Sequence, residues 1–269
     1  MVWRLLIDGV ADGFTNMAVD EAILEGYLAG EAPPTLRFYR WHPPCLSIGY
    51  FQRAHREVDV EACRRLGVDW VRRPTGGRAI LHDREVTYSL VAGEGDPLVC
   101  GSIRESYRKI SAALVAGLRR LGAPAEMAPA ERRGPGLGSP ACFDAPSDYE
   151  VTIGGRKVIG SAQVRRGGAL LQHGAILLEV DVERQARVLR PPPGMSAKEL
   201  AVFLRPRLIS LQEALGRKVS PEQLVEALCE GFRETWGIAL EAGGLTPGER
   251  ERLPVLRAKY ESPAWNFRR

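Results

Sequence analysis

The sequence contains no apolar run that approaches the roughly 18 to 20 residues needed to cross a bilayer. Its opening stretch, "MVWRLLIDGV", lacks the apolar block and the cleavage site of a secretory signal peptide. These absences predict a cytoplasmic protein that does not act in a membrane.

The cysteines form neither a disulfide framework nor a zinc motif. There are 5, an odd number, and no two of them make a C-x-x-C pair. Cys45, Cys63, Cys100 and Cys229 lie within or beside apolar patterns, which predicts small, buried, unreactive side chains. We therefore expect free thiols and no metal site, and only Cys142 lies in a different setting.

Neither sign of charge dominates the chain. The 37 Lys and Arg residues exceed the 33 Asp and Glu residues by 4, and the basic residues are interleaved with acids. No basic block of the kind that binds nucleic acid is present. The small positive excess suits an anionic ligand or a small acidic protein, and we expect no nucleic-acid partner.

The length and the pattern of elements predict the fold class. A chain of 269 residues with 45% hydrophobic residues can bury one large core, so we expect a single domain over residues 1–269. Strands and helices follow one another in irregular order with many hairpins, which indicates an α+β fold with a mixed, largely antiparallel sheet flanked by helices. Beyond "RPPPG" the composition predicts a helical segment over about 195–269.

Two amphipathic helices have clear boundary signals. "TNMAVDEAILEGYLAG" has helical spacing, with Thr15 or Asn16 as the expected N-cap and Gly30 as the end. "SIRESYRKISAALVAGLRRLG" begins with Ser102 as N-cap and Glu105 in the capping-box position. Both segments are therefore expected to pack one face on the sheet.

The strands are predicted from alternation and turn residues. "PTLRFYRWHPPCLSIGY" predicts strands interrupted at its two prolines, and "AILHDREVTYSLVAG" predicts a further strand pair. Three strands are expected between residues 150 and 180, with hairpin turns at Gly154-Gly155 and Gly167-Gly168. Residues 123–148 have a loop-like composition.

The segment "RRPTGGRAILHD" combines paired glycines with basic side chains. Glycine lets the backbone approach a ligand closely, and backbone N–H groups can bind a carbonyl or phosphate oxygen that arginine also favours. The segment is neither a P-loop nor a dinucleotide fingerprint, and a simple turn with a solvated basic flank explains it equally well. The candidate residues are Arg72, Arg73, Gly76, Gly77, Arg78 and His82.

Cys142 lies in "SPACFDAPSDYEV", between prolines, where a loop would leave its thiol facing a cleft. A thiol ordinarily titrates near pH 8.5, and a nearby ammonium group lowers its pKa and supplies thiolate at neutral pH. Lys157 would supply that ammonium if its strand folds back toward the loop. The alternatives, an ordinary loop thiol and a solvated hairpin lysine, remain open on these residues alone.

A polar strand face is a further candidate for a pocket wall. Lys157, Ser161 and Gln163 share a parity, so their side chains should point the same way, and His173 alternates with apolar residues in the next strand. A sheet with one face in water gives the same pattern.

Four motifs in this order, "RRPTGGRAILHD", "ACFDAPSDYEV", "GRKVIGSAQVRRGGALLQHGAILL" and "KYESPAWNF", resemble the lipoate-protein ligase A, lipoyltransferase and biotin-ligase superfamily. The resemblance covers nearly the whole chain and is greatest to the LipM-type octanoyltransferases. Arg78 directly after the two glycines, and Cys142, match that branch rather than the ATP-dependent ligases, which usually have a third glycine and often an accessory domain. An octanoyl amidotransferase between lipoyl-accepting proteins is the nearest rival, and a non-catalytic binding relative is a third possibility.

The resemblance implies a biotin/lipoate protein ligase-like fold and a mechanism. Cys142 matches the acyl-thioester nucleophile, and Lys157 the lysine that lowers its pKa and assists proton transfer. The octanoyl donor would be octanoyl-acyl carrier protein, and the acceptor a lysine of a lipoyl domain or of the glycine cleavage H protein. The acyl group arrives on the carrier's phosphopantetheine, so no further cofactor, metal or ATP is expected.

The resemblance also implies a substrate-binding region. Backbone amides near the paired glycines would hold the oxyanion. An apolar tunnel for the acyl chain would be lined by Ile80, Ile159 and Leu171. The residues that match the substrate-binding region are Arg73, Gly76, Gly77, His82, Ser161, Gln163 and His173.

Overall fold

A computed structural model of the protein describes residues 1–128 and 150–268. The strands are, in chain order, β1 (Val2–Ala11), β2 (Thr35–Trp41), β3 (Cys45–Ile48), β4 (Asp69–Arg72), β5 (Ile80–His82), β6 (Glu85–Gly93), β7 (Ala125–Met127), β8 (Val151–Ile153), β9 (Arg156–Arg166), β10 (Ala169–Leu177) and β11 (Ala239–Ala242). The helices are α1 (Gly13–Leu28), α2 (Ala54–Glu57), α3 (Val60–Arg65), α4 (Ile103–Arg120), α5 (Val182–Val188), α6 (Ala197–Leu204), α7 (Leu211–Leu215), α8 (Pro221–Trp236), α9 (Pro247–Glu261) and α10 (Pro263–Asn266).

The described strands form two sheets. The larger has the order β11-β1-β2-β6-β10-β9-β8-β7, and the smaller has the order β4-β3-β5. In the larger sheet β1 is parallel to β11 and to β2, while the other neighbours are antiparallel. The predicted α+β class, with a mixed and largely antiparallel sheet flanked by helices, is confirmed. The two strands expected from "AILHDREVTYSLVAG" both form, but β5 joins the smaller sheet and β6 lies in the larger.

The larger sheet buries an apolar layer on each face. Leu90 and Leu170 belong to the cluster that includes the apolar sides of α4 and α8. Their chain neighbours Val91 and Leu171 belong to a different cluster, which includes α1. Because successive strand residues point to opposite faces, α1 packs on one side of the sheet and α4 with α8 on the other. The smaller sheet packs against α5 and α6 through a third cluster.

The boundary of α1 differs from the prediction. Its N-cap is Asp12, whose carboxylate accepts from the Thr15 amide at 2.8 Å, so the helix begins before both predicted caps. Asn16 is fully buried instead, and its side-chain amide donates to the carbonyl oxygens of Ala11 and Arg40. A buried amide that ties strands to a helix gives the same sequence pattern as a cap, which explains the error.

The other local predictions are largely confirmed. The Ser102 and Glu105 capping box is present at α4. The glycine pairs at 154–155 and 167–168 have positive φ angles between 57° and 90°, and they turn β8 into β9 and β9 into β10. The loop predicted for 123–148 is wrong where β7 forms, since its backbone pairs with β8. Most of that segment, including Cys142, lies outside the described residues.

The described cysteines are free, and three of the four are buried as predicted. Burial raises the pKa of Cys63 to about 12 and that of Cys229 to about 11, so both thiols are protonated and unreactive at neutral pH. Cys100 differs from its prediction, because it lies partly exposed in the turn before α4. Among residues 1–128 and 150–268, no helix combines the length and the apolar character that a membrane span requires.

Candidate active site

The candidate site is a pocket of about 360 Å³ where the two sheets meet. The smaller sheet contributes side chains from β3 and β5, and the larger sheet contributes β2, β6, β9 and β10. Apolar lining comes from Met17, Tyr39, Trp41, Ile80, Ala162 and Ala175. Of the predicted substrate-binding residues, the structure brings together Arg73, His82, Ser161 and His173 at this pocket.

The buried guanidinium of Arg73 holds the glycine loop, defined as Gly76 and Gly77. It donates to the carbonyl oxygen of Gly76 at 2.6 Å and to that of Arg78 at 2.8 Å. The C=O and N–H of a trans peptide point in opposite directions, so the amide N–H of Gly77 points away from Arg73. The loop conformation that the "TGG" sequence permits is therefore held by a charged side chain from beneath.

Gly77 and Gly49 show why this loop needs glycine. Gly77 has φ of 85°, a left-handed conformation that side chains disfavour. A Cβ on Gly49 would collide with the backbone carbonyl of Gly77. Gly49, at the end of β3, was not among the predicted residues, yet its missing side chain lets the two loops pack together.

His173 is buried between a carboxylate and a hydroxyl. Its Nδ1 lies 3.0 Å from Asp20 Oδ2 and its Nε2 lies 2.7 Å from Thr75 Oγ1. Burial lowers the pKa of His173, and this outweighs the opposing hydrogen bond and charge of Asp20. The imidazole is therefore neutral at pH 7. An ionised carboxylate only accepts hydrogen bonds, so Nδ1–H donates to Asp20 and Nε2 accepts from the Thr75 hydroxyl.

The charge of Asp20 is compensated within the core. Burial would raise the pKa of Asp20, but the hydrogen bond from His173 and the charge of Arg37 outweigh it and hold the pKa below its ordinary value. Arg37 donates to Asp20 Oδ1 at 2.7 Å, and the Tyr39 hydroxyl donates to Oδ2 at 2.9 Å. Asp20 thus stays ionised and orients His173 from α1.

The chain of hydrogen bonds continues from His173 to the glycine loop. The Thr75 hydroxyl donates to His173 and accepts from Arg73 Nε at 3.1 Å. Arg73 then donates to the loop carbonyls described above. The helix residue Asp20 is therefore connected to the glycine loop through groups that are all buried.

His82 is held in a second buried group. Its Nδ1 lies 2.6 Å from Glu85 Oε1, and its Nε2 lies 2.8 Å from Ser47 Oγ. The Trp41 ring stacks on the imidazole at 4.0 Å between centroids and an interplanar angle of 9°. Arg73 also donates to Ser47 at 3.2 Å, so both histidines connect to the same guanidinium.

Ser161 and Gln163 do not share a face with His173. The register pairs His173 with Ala162, and Ser161 with Gly174, so the Ser161 side chain points to the face covered by α4. There its hydroxyl lies 2.8 Å from the Tyr88 hydroxyl. Gln163 donates to Gln172 at 2.9 Å and does not line the pocket described here.

The predicted polar face is therefore divided between two sides of the sheet. Arg73, His82 and His173 lie on the pocket side, while the Ser161 and Gln163 side chains lie on the other. Ile80 lines the pocket, but Ile159 and Leu171 pack in two separate core clusters, so the expected acyl tunnel is not formed by these three residues.

Lys157 lies at the start of β9, buried, and forms an ion pair with Glu150. Three residues along the strand separate it from the pocket residue Gly160, a distance of about 10 Å at roughly 3.3 Å per residue. The lysine is therefore not the solvated hairpin charge that remained an alternative. Its predicted partner Cys142 lies outside the described residues.

The "AWNF" motif has a structural role beside the site. Asn266 Oδ1 accepts from the Arg72 amide at 2.8 Å, and the Arg72 side chain donates to the carbonyl oxygens of residues 49, 50 and 52. Arg72 is therefore a structural residue that fastens the C-terminal segment to the turn after β3.

Several site residues have no distinctive sequence signal. Asp20 and Glu85 look like helix and strand-end acids, and Thr75 and Ser47 like ordinary polar residues. Glu150 was likewise not singled out. Only the long-range pairing of strands reveals that these side chains meet the predicted histidines, arginine and lysine.

The family model for the lipoyl protein ligase A/B catalytic domain matches residues 12–233. The Octanoyltransferase LipM of Kyrpidia tusciae is 52% identical over 99% of this chain and 99% of its own. That of Moorella thermoacetica is 49% identical over 99% of this chain and 98% of its own. The chain belongs to the LipM octanoyltransferase family. It is accordingly an acyltransferase of lipoate biosynthesis.

Solved structures of ligases share the fold of this octanoyltransferase family member. A lipoate protein ligase of T. acidophilum with bound lipoic acid matches with a TM-score of 0.80 and 30% identity over 99% of this chain and 100% of its own. A lipoate-protein ligase A bound with ATP matches with a TM-score of 0.82 and 30% identity over 99% of both chains. The lipoate ligase-like fold is thereby confirmed.

Asp20 and Asp8 both pair with Arg37, which allows a matched test of the buried network. Asp20→Asn should lower the free energy of unfolding by about 3–5 kcal/mol, because it weakens the compensation of a buried charge. Asp8→Asn should lower it by about 1 kcal/mol or less, because its side chain is 41% exposed. Urea unfolding at pH 7 measures both. Equal losses in the two variants would contradict this assignment.

The lowered pKa of His173 predicts a pH dependence of stability. Below the unfolded pKa of about 6.5 the unfolded chain binds a proton that the folded chain excludes, so stability falls as the pH decreases through that value. The contribution of one histidine is at most about 1.4 kcal/mol per pH unit. Urea unfolding between pH 7.5 and 5.5 should show a shallower slope in His173→Gln than in wild type. The exposed His55, changed to Gln, is the control, and an unchanged slope in His173→Gln would refute the neutral assignment.

Proposed function

We propose that this octanoyltransferase takes its acyl group from octanoyl-acyl carrier protein and passes it, through a thioester on Cys142, to an acceptor lysine. The acceptor is a lipoyl domain or the glycine cleavage H protein. The main support is the 49–52% identity to LipM octanoyltransferases over nearly the whole chain. Free thiols suit a reducing compartment, and we propose the cytoplasm as the place of reaction.

The first half-reaction exchanges one thioester for another. The Cys142 thiolate attacks the octanoyl carbonyl, the new C–S bond forms, and the bond to the pantetheine sulfur breaks. The departing thiolate takes up a proton, so charge and atoms balance. Because the bond formed resembles the bond broken, this step needs no ATP, metal or resident cofactor.

The second half-reaction forms the amide. The neutral acceptor amine attacks the thioester carbonyl, a C–N bond forms, and the bond to Cys142 breaks. The proton of the amine passes to the departing thiolate, directly or through Lys157. An amide is more stable than a thioester, which drives the reaction forward.

The described residues have distinct proposed roles in this chemistry. The pocket would hold the acyl chain, and burial contributes about 0.8 kcal/mol per methylene. The Gly77 amide points away from Arg73, and we assign it to the oxyanion. Lys157 would favour the thiolate of Cys142 by its charge, with Glu150 holding the lysine in position.

An ATP-dependent lipoate ligase is the second candidate. It is supported by the similarity of fold to a lipoate-protein ligase A with bound ATP. In that case the acyl group would be activated as an adenylate, and Cys142 would be dispensable.

The thioester on Cys142 can be detected directly. Incubation with octanoyl-acyl carrier protein should add the mass of one octanoyl group to the intact chain, because the acyl-enzyme is a covalent intermediate. Cys142→Ser should lose a thioester adduct that is sensitive to neutral hydroxylamine, whereas Cys63→Ser should retain it, since the Cys63 thiol is buried and protonated. Intact-mass spectrometry distinguishes the variants. A labile adduct that persists in Cys142→Ser would place the nucleophile elsewhere.

A further inference from the structure

An arginine-rich surface lies on the outer side of the glycine loop. Residues 49–57 and 72–78 contain five arginines and one acidic residue, Glu57. Arg72 and Arg73 are buried and bind backbone carbonyls, so they do not form the surface. The arginine rim is defined here as Arg53, Arg56, Arg78 and Arg268.

An exposed aromatic ring lies at the centre of the arginine rim. Phe51 is 66% exposed, which is unusual for so large an apolar side chain. It packs edge-on against Tyr50 at 5.0 Å between ring centroids, and the Arg268 guanidinium lies 4.3 Å from the centroid of that Tyr50 ring. The rim therefore offers both charge and an apolar contact.

The rim is continuous with the pocket. The Phe51 ring lies 3.9 Å from the position that a Cβ on Gly76 would take. Gly76 in turn is bound by Arg73, which lines the pocket. Glu57, the one acid, is half-buried and lies within the electrostatic reach of Arg56 and Arg78. A partner that reaches the pocket across this rim meets a net positive surface.

The two protein substrates of the proposed reaction differ in the charge that they bring to the pocket. The donor's acyl thioester is attached to a phosphopantetheine arm, which contains an anionic phosphodiester. The acceptor instead presents a lysine, which is cationic at neutral pH until it reacts. Arginine binds phosphate and carboxylate groups well, and it repels an approaching ammonium. The rim suits the donor and disfavours the acceptor.

We propose that the arginine rim around Phe51 is the docking surface for the acyl donor, an acidic carrier protein whose phosphopantetheine arm enters the pocket past the glycine loop. This inference rests on the proposed function. Opposite charges on the two surfaces accelerate encounter, and the effect decreases as salt screens it. The acceptor half-reaction does not use this surface.

Charge reversal at the rim tests the proposal. Arg53→Glu combined with Arg56→Glu should lower kcat/KM for octanoyl-acyl carrier protein by about tenfold or more, mainly through KM, and should weaken its dependence on ionic strength. The same variant should react with the uncharged donor octanoyl-N-acetylcysteamine within about twofold of wild type, because that donor has no phosphate and no protein. Acyl-enzyme formation followed by mass spectrometry measures both donors.

The matched control reverses two charges on the other side of the larger sheet. Arg217 and Lys218 are exposed, and Arg217 donates to the Leu121 carbonyl at the end of α4. Arg217→Glu combined with Lys218→Glu changes the net charge equally and should leave kcat/KM for the carrier donor near that of wild type. A control that loses as much activity as the rim variant would overturn a specific surface.

The remaining outcomes separate the two proposals. If the rim variant keeps full activity with octanoyl-acyl carrier protein, the docking surface is wrong and the proposed function stands. If it instead slows octanoyl transfer from a preformed acyl-enzyme to a lipoyl domain, the rim binds the acceptor and the proposal fails. If wild type forms no acyl-enzyme with either donor, the proposed function fails and the docking proposal with it.

Discussion

The buried guanidinium of Arg73 is the interaction on which the site depends. It holds the glycine loop by two carbonyls, and its position follows from a hydrogen-bonded chain that runs through Thr75 and His173 to Asp20. Arg37 supplies the opposite charge that keeps Asp20 ionised in the core. A pocket that binds an acyl chain needs a dry, apolar lining, and such a lining tolerates charged groups only when they are paired in this way.

The two faces of the larger sheet separate structural and chemical duties. On the face of α1 the sheet meets the smaller sheet and forms the pocket, with the glycine loop and both buried histidines. On the face of α4 and α8 lies the main apolar core, together with the hydrogen-bonded Ser161 and Gln163. Lys157 lies at the start of β9, near enough to the pocket to act on a group at its edge.

The sequence predicted local structure better than it predicted the site. Capping residues and paired glycines act within a few positions, so the start of α4 and the hairpins around β9 were found correctly. The partners Asp20, Glu85 and Glu150 were missed, because they meet their histidines and lysine only through strand pairing and long-range packing. Alternation within single strands also placed Ser161 beside His173, whereas the β9–β10 register puts them on opposite faces.

The central claim is that this family member transfers a preformed acyl thioester rather than activating a free acid. The most direct measurement is a reconstituted reaction with wild-type protein, octanoyl-acyl carrier protein and a lipoyl domain, with ATP and magnesium omitted. We predict an octanoyl amide on the acceptor lysine, seen as a mass increase of the lipoyl domain that neutral hydroxylamine does not remove. Modification that appears only when free octanoate and ATP are supplied would contradict the account.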